Sequence, residues 1–466
     1  MRLFKNLVFP LVLIISLFFR FYLSPKVFHH DLICQASWGK YVYFNSAKNF
    51  YEVNNKWLYF SSPNHPPLTN ILYATAQKID LKTRLTRVRI GNFVTKHNLS
   101  PKFFLSHFLT LKHLDKTVSP QQPFTYGFLT SLKIWAILGD ILIAIIIYLI
   151  AKRYYSKPII FPLIYLFSPF SWYLSALWGQ TDQLAFVFTL ISFLMIPRFT
   201  SLSIINFFIG ASIKPTSLMF APLFLYLLFI TKPKISKLII GGVISLILCF
   251  FIFRPFHETN FFDFTFNTLY PKLVHRAEFR VSTNSYNFWH IFTLDKAIEH
   301  NTKIFSLISY KNLGLLIYFF FIFYSVKTLK KINTYHILTS LFIISGASWL
   351  FLTNMLDRYF FTAIATATIL LIFQPKSFKY WLPLSLIFWL NLFRQWYYPA
   401  SLGFIKNILQ YNNGIIGSYL SLSNVILFLL SIKLFVSSEP QHSISCLSRH
   451  PSKKSSSDKG HSAKHD

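Results

Sequence analysis

A succession of long apolar runs joined by short basic connections leaves this 466-residue chain little choice of environment. A run of roughly 20 apolar residues crosses a bilayer as a helix. Runs without apolar-polar alternation cannot serve as barrel strands, whose two faces differ. Lipid demands that every backbone polar group be satisfied internally, so helices are what remain. The pattern predicts an all-α polytopic membrane protein. At 53% hydrophobic and 19% aromatic residues the chain is too oily for a soluble domain of its length. The net charge of +31 would suggest nucleic acid in a soluble chain. Here Lys and Arg stand between apolar segments, so the charge is read as membrane topology and lipid-headgroup affinity, with no nucleic-acid partner. Cys34, Cys249 and Cys446 are too scattered for a metal spacing or a disulfide framework.

Leu7 to Tyr22 follows basic residues but precedes no small-residue cleavage site, so it is expected to stay as a first helix rather than leave as a signal peptide. Further spans are predicted around Phe128 to Ile150, Ile159 to Tyr173, Gln183 to Ile196, Leu202 to Ile213, Ser217 to Ile230 and Leu238 to Phe253. Five more follow at Leu313 to Val326, Ile337 to Leu352, Phe360 to Phe373, Trp381 to Phe393 and Ile415 to Phe435. The total is about 12 spans, within a range of about 11–14, because several runs are shorter than a straight span needs. Lys152, Arg153, Lys157, Arg198, Lys232, Lys234, Lys237, Lys327, Lys330, Lys331, Lys376 and Lys379 fall in alternate connections, which assigns these and both termini to the cytoplasm. The membrane domain is expected over 1–436. External loops are expected at 24–127, with re-entrant or amphipathic helices, and at 254–312, and a disordered, Ser-, Lys- and His-rich cytoplasmic tail at 437–466. Within the first loop, Leu68 to Ile79 is apolar enough to enter the bilayer, and Phe103 to Leu111 offers a second leg of a hairpin. In a bacterium the protein would sit in the plasma membrane with its site facing outward.

The outward face collects the unusual residues. Asp31 follows the first helix, and a carboxylate at a hydrophobic interface can act as general base toward a substrate hydroxyl. The plainer reading is a solvated loop aspartate. His65 precedes Pro66 and Pro67, which set an extended approach to a helix start. In Trp178-Gly179-Gln180-Thr181-Asp182 the glycine permits a tight turn, Trp178 can stack on a sugar, and Gln180 and Asp182 can bond its hydroxyls. An interfacial tryptophan with a helix-capping aspartate explains the same residues. Arg358, in Asp357-Arg358-Tyr359, can hold a phosphate through two parallel hydrogen bonds or pair locally with Asp357. Lys214, before Pro215, either snorkels or meets an anion, and Asp140, deep in an apolar run, is expected to pair with a basic neighbour.

The order of Asp31, His65-Pro-Pro-Leu-Thr69, Lys133 with Gly139-Asp140, Trp178-Gly-Gln-Thr-Asp182, Lys214-Pro215, Asn284-Ser-Tyr-Asn-Phe-Trp289 and Met355-Leu-Asp-Arg-Tyr359 resembles the GT-C superfamily of membrane glycosyltransferases. Its pattern is similar to the bacterial branch related to GPI-anchor mannosyltransferases, and it extends from residue 1 to about 375. The resemblance implies a GT-C-like fold and inverting transfer of a hexose, mannose in that branch, from a polyprenyl-phosphate donor. The acceptor would be a lipid-linked or cell-surface glycan on the non-cytoplasmic side. Asp31 would be the base, and Arg358 with Lys214 would neutralise the departing phosphate. Gln180, Asp182, Trp178, His65 and Asp357 would contact sugar or acceptor, and Asn284, Asn287 and Trp289 would shape the cavity. The lipid-linked sugar is itself the substrate, so neither a cofactor nor a metal is expected. Two positions depart from the pattern: relatives often carry His-Glu-Arg where this chain has Leu356-Asp357-Arg358, and the Asp-Tyr before Pro-Pro in related glucosyltransferases is Asn64-His65.

Two other classes share the composition. A transporter or flippase would gather charges at the bilayer midplane around broken helices and internal repeats. No repeat is visible, and apart from Asp140 and Lys214 the candidate residues crowd one interface. A catalytically silent scaffold of the same family would keep the fold without the turnover.

Overall fold

The computed structural model describes residues 2–53, 62–96, 114, 117–119, 122–258, 260–274, 279–294, 296–329 and 331–437. The expected Phe103 to Leu111 leg and the expected tail lie outside the described residues, the tail but for its first residue. The described residues are all-α apart from two antiparallel hairpins, Thr117–Ser119 with Gln122–Thr125 and Lys303–Ile304 with Ile308–Ser309, and two isolated β-bridges. The first helices are α1 (Arg2–Leu23), α2 (His30–Phe44), α3 (Pro67–Lys96), α4 (Tyr126–Leu132) and α5 (Ile134–Ala151). Next come α6 (Ile160–Phe167), α7 (Pro169–Trp178), α8 (Asp182–Met195), α9 (Thr200–Ile213), α10 (Pro215–Thr231) and α11 (Ile235–Phe253). The chain ends with α12 (Tyr310–Thr328), α13 (Thr334–Phe351), α14 (Phe361–Leu370), α15 (Phe378–Phe393), α16 (Ala400–Leu409) and α17 (Ile415–Ser437).

Among the described residues, five helices are long and apolar enough to cross a membrane: Leu7–Lys26, Tyr126–Ala151, Ile235–Phe256, Thr334–Phe351 and Ile415–Ser437. A sixth appears if α6 and α7, bent by 50° at Ser168 and Pro169, count as one broken span. The spans expected over α8, α9 and α10 are shorter apolar helices. At about 1.5 Å per residue the 14 residues of α8 and of α9 do not reach across the hydrocarbon alone. The lipid-facing surface is legible on α11, where Ile239, Val243, Leu246, Phe250 and Phe251 are exposed, and on α1, where Leu11, Ile14 and Phe18 are exposed. A soluble fold would have to cover such a belt; in a bilayer it meets its own solvent. α13 is the opposite case, enclosed from Ile337 to Phe351, and forms the centre of the main core with α14 and α15.

Two helices lie within the segment expected as the first external loop. His29 caps α2, its Nδ1 accepting the Asp31 N–H at 3.1 Å. Leu68 to Ile79 belongs to a 30-residue helix that starts at Pro67. α2 and α3 pack closely because Gly39 lacks a side chain; a Cβ there would stand 2.7 Å from the Tyr73 carbonyl oxygen. Asp140 of α5 pairs with Arg20 of α1 at 3.0 Å, both fully buried. The Tyr165 hydroxyl donates to the other Asp140 oxygen at 2.7 Å.

Candidate functional site

The chain of supports that places Asp31 begins inside the membrane. Lys133 interrupts the apolar run between α4 and α5, and its Nζ donates to the carbonyls of Ser24 at 2.6 Å and Val27 at 2.7 Å. A cation at a helix C-terminus satisfies carbonyls that the helix leaves open and complements its dipole. That anchors the exit of α1 just before His29 and Asp31. The Lys133 stem also needs Gly179: φ there is +82°, and a Cβ would lie 2.7 Å from Lys133 Cγ. Gly179 closes the π turn of Tyr173–Trp178 and so aims Trp178 and Gln180 at the start of α2. Gly179→Ala is expected to cost about 1–3 kcal/mol from the left-handed backbone alone, read as a lowered melting temperature in detergent, with further loss as Lys133 is displaced.

Around Asp31 three donors converge on one oxygen. Oδ2 accepts from Trp178 Nε1 at 3.3 Å, Gln180 Nε2 at 3.2 Å and Arg358 Nη1 at 3.2 Å. No donor among the described residues reaches Oδ1, whose neighbour is His29 Nδ1 at 3.7 Å. The carboxylate keeps 38% of its surface exposed, so its second oxygen stays reachable. Burial pushes the Asp31 carboxyl up, but the Arg358 guanidinium, then the His29 ring and the Trp178 N–H, outweigh it and hold it below the usual carboxylate value. His29 is pushed down to about 4 by burial, against the pull of Asp31. It is therefore neutral at pH 7 and bears a charge beside Asp31 only in acid; as its Nδ1 accepts a backbone N–H, its proton at pH 7 sits on Nε2.

Arg358 follows α13 in a tight turn built by other parts of the chain. Its backbone N–H donates to Asp357 Oδ1 at 2.7 Å, Asn391 Nδ2 donates to the Asp357 carbonyl at 3.2 Å, and Trp349 Nε1 donates to the Leu356 carbonyl at 2.9 Å. Burial pushes Asp357 up to about 7 despite Arg358 beside it at 3.8 Å. The guanidinium lies over the Trp178 ring at 5.6 Å. Lys214, at the hinge between α9 and Pro215, forms a buried ion pair with Asp182 at the start of α8 and faces the Tyr359 ring at 5.7 Å.

Asp31, Trp178, Gln180 and Arg358 thus meet directly, with Asp182, Lys214 and Asp357 bordering them. Trp178 is only 2% exposed and serves Asp31 as a donor instead of offering an open stacking face. His65 is held apart, its Nδ1 2.9 Å from the Tyr73 hydroxyl and its carbonyl accepting from Tyr51. Asn284, Asn287 and Trp289 form no hydrogen bond with Asp31, Arg358 or Lys214 among the described residues. Asn284 is an exposed turn residue at φ +54°, Asn287 Oδ1 accepts from the His290 N–H at 3.2 Å, and Trp289 donates to the Phe351 carbonyl at 2.8 Å. Their segment braces the Arg358 turn: Ser285 Oγ donates to the Met355 carbonyl at 2.8 Å, and Tyr286 N–H to Asn391 Oδ1 at 2.8 Å.

Two residues escaped the sequence reading. His29 was visible only as a neighbour of Asp31, and its capping role needs the unpredicted α2. Trp396 stands 4.9 Å from the His29 ring and 5.7 Å from Trp178, a position with no local signal. Gln180 Oε1, Arg358 Nε and Trp396 Nε1 are buried with no hydrogen-bond partner among the described residues. Such orphaned atoms are uncommon and call for an explanation; beside a half-open carboxylate, a polar ligand supplies one. No three His, Cys, Asp or Glu side chains among the described residues gather in a way that could hold a metal ion. Comparison with known proteins finds no matching family model and no similar curated protein.

Proposed function

We propose that the protein is a GT-C-like membrane glycosyltransferase that moves a hexose, mannose on the motif pattern, from a polyprenyl-phosphate donor to a glycan acceptor at the non-cytoplasmic interface. The observation that carries this reading is the asymmetric carboxylate: Oδ2 of Asp31 is pinned by three donors while Oδ1 is left to act. Such a group is oriented for proton abstraction. In the proposed step the acceptor hydroxyl attacks the anomeric carbon opposite the lipid phosphate, and its proton passes to Oδ1. The bond from the anomeric carbon to the phosphate oxygen breaks with its electron pair on the leaving phosphate. The glycoside forms with inverted configuration, and the proton returns to solvent.

Arg358 has a double duty in this scheme. In the free protein it pairs with Asp31; the donor phosphate competes for it and draws off its charge. Asp31 then loses the neighbour that holds its pKa down and becomes the stronger base only once donor is bound. Asp357 adds a pH dependence. It is neutral below about 7 and anionic above. Once ionised it faces Arg358, Asp31 and Arg394, and it rivals the phosphate for Arg358. The KM for the lipid donor is therefore expected to rise as pH climbs through about 7, and Asp357→Asn should flatten that rise in a pH series of initial rates.

The direct test offers polyprenyl-phosphate-mannose and polyprenyl-phosphate-glucose, with a mixed glycan pool, to the purified protein in detergent. Transfer of label from one donor establishes the reaction and names the sugar. Binding of the donors without transfer, alongside lipid movement in vesicles, would favour the transporter reading instead.

A further inference from the structure

Far from Asp31, α12 and α17 leave a groove between them. It has a volume of about 360 Å³ and is walled by Phe320, Tyr324, Leu429, Ile432 and Val436 among others, with Lys433 as its charged group. That is more than twice the ~150 Å³ that holds a benzene ring, and the walls suit a hydrocarbon chain. Its place along the bundle follows from α13. Tyr335, in the first turn of α13, donates to the Phe435 carbonyl at 2.8 Å, whereas the Arg358 turn follows the other end of that helix. The 18 residues of α13 hold its two ends about 27 Å apart. Because α13 is long and apolar enough to cross a membrane, the groove opens in the half of the bilayer remote from Asp31.

Both helices turn an apolar face outward here, with Leu316, Phe319 and Phe323 of α12 and Leu422 and Ile426 of α17 exposed. A lipid chain on those faces touches protein on one side; in the groove it is flanked by two helices and gains contacts accordingly. Charge then selects the headgroup. Lys433 is exposed, and so are Lys327 and Lys331 at the exit of α12. The one acid in residues 310–437 is Asp357, beyond the far end of α13. A basic pocket between membrane helices favours anionic headgroups over zwitterionic ones. A second copy seated on this face by two-fold symmetry would set lysines against lysines.

We propose that the groove seats one acyl chain of an anionic phospholipid, its phosphate on Lys433, and that the bound lipid clamps α17 to α12. Hydrogen bonds carry the consequence toward the site. Asn424 of α17 donates to the Tyr286 carbonyl at 2.9 Å, Tyr286 is held in turn by Asn391, and Asn391 also donates to the Asp357 carbonyl. A lipid that steadies α17 therefore steadies the turn that carries Arg358. This holds whatever reaction Asp31 serves.

The test titrates the purified full chain in detergent with phosphatidylglycerol and with phosphatidylcholine of the same acyl chains, and reads the retained lipid by native mass spectrometry. One phosphatidylglycerol should be held in preference to phosphatidylcholine. Lys433→Gln should weaken its retention by about fivefold, the effect of one lysine near a headgroup. Leu429→Trp, which fills the groove, should weaken it as well, while Lys237→Gln, an exposed lysine on α11, should leave it unchanged. Leu429 and Lys433 are exposed, so both groove variants should keep the parent melting temperature without lipid. They should lose the rise that phosphatidylglycerol gives the parent. Equal retention of the two lipids, an equal loss in Lys237→Gln, or unaltered retention in both groove variants would overturn the site. Displacement by polyprenyl phosphate would overturn it in favour of the donor's tail, and a two-chain complex broken by Leu429→Trp in favour of a second copy.

Discussion

Asp31→Asn should lower turnover by about 10²–10⁴-fold, the usual contribution of a positioned base, while leaving donor binding intact or tighter. The asparagine is nearly isosteric, and its amide oxygen can still accept from Trp178 and Gln180, so the start of α2 should hold its place. What it lacks is the charge that occupies Arg358 at 3.2 Å in the free protein. Releasing that guanidinium removes a competitor of the donor phosphate. A base that merely oriented the fold would fail differently, with turnover and donor affinity falling together and the melting temperature following. Initial rates and donor binding on the same preparation separate these outcomes. Equal turnover by variant and parent would remove Asp31 as base.

The membrane class was legible because it rests on composition and run length, which tertiary context does not alter. The count of about 12 spans is matched only in part, by five helices, or six with the broken pair, that are long and apolar enough among the described residues. α8, α9 and α10 look like spans when any apolar run is taken as one, yet each ends after a few turns at Ile196, Lys214 or Lys232, and the structure shows them as short helices packed on their neighbours. α2 was missed for the opposite reason. In His30–Phe44 apolar and polar residues are scattered around the helix without a clear stripe, so no periodicity announces it. The helix is held by a local cap from His29 and by the tertiary contact of Gly39 with α3.

The site divides in the same way. Asp31, the Trp178 to Asp182 turn and Arg358 were chosen one by one as rare polar residues at apolar ends, and they do converge. Lys133 was noticed only as part of a motif, because its task of holding two carbonyls beyond α1 exists only in three dimensions. The Asn284 to Trp289 motif drew attention for its side chains, but its backbone and Ser285 do the bracing.

The largest effect on stability is expected at Arg20 and Asp140, which stand in opposed helices within the apolar layer. Both side chains are fully buried. Arg20 also donates to Ser16, to Ser171 at 3.1 Å and to the Leu166 carbonyl at 3.0 Å, so the guanidinium ties α1 to both α5 and the bend between α6 and α7. Removing one partner of a buried pair costs about 3–5 kcal/mol, whereas replacing both with apolar residues is near neutral or stabilising. The two single variants should not be equal. After Arg20→Leu the orphaned carboxyl can take up a proton and keep the Tyr165 bond, but after Asp140→Leu the guanidinium cannot discharge itself. Asp140→Leu is therefore expected to be the worse variant by melting temperature in detergent, Arg20→Leu intermediate, and the double variant close to the parent. Additive losses in the double variant would show that the pair's hydrogen bonds, and not its charges, hold α1 in place. The distinction reaches the site, because the turn directly after α1 carries the carbonyl of Ser24 that Lys133 grips on the way to Asp31. If only the charges matter, the double variant should recover turnover together with stability; if the bonds to Ser171 and Leu166 set the bend before Trp178, stability should return while turnover stays low.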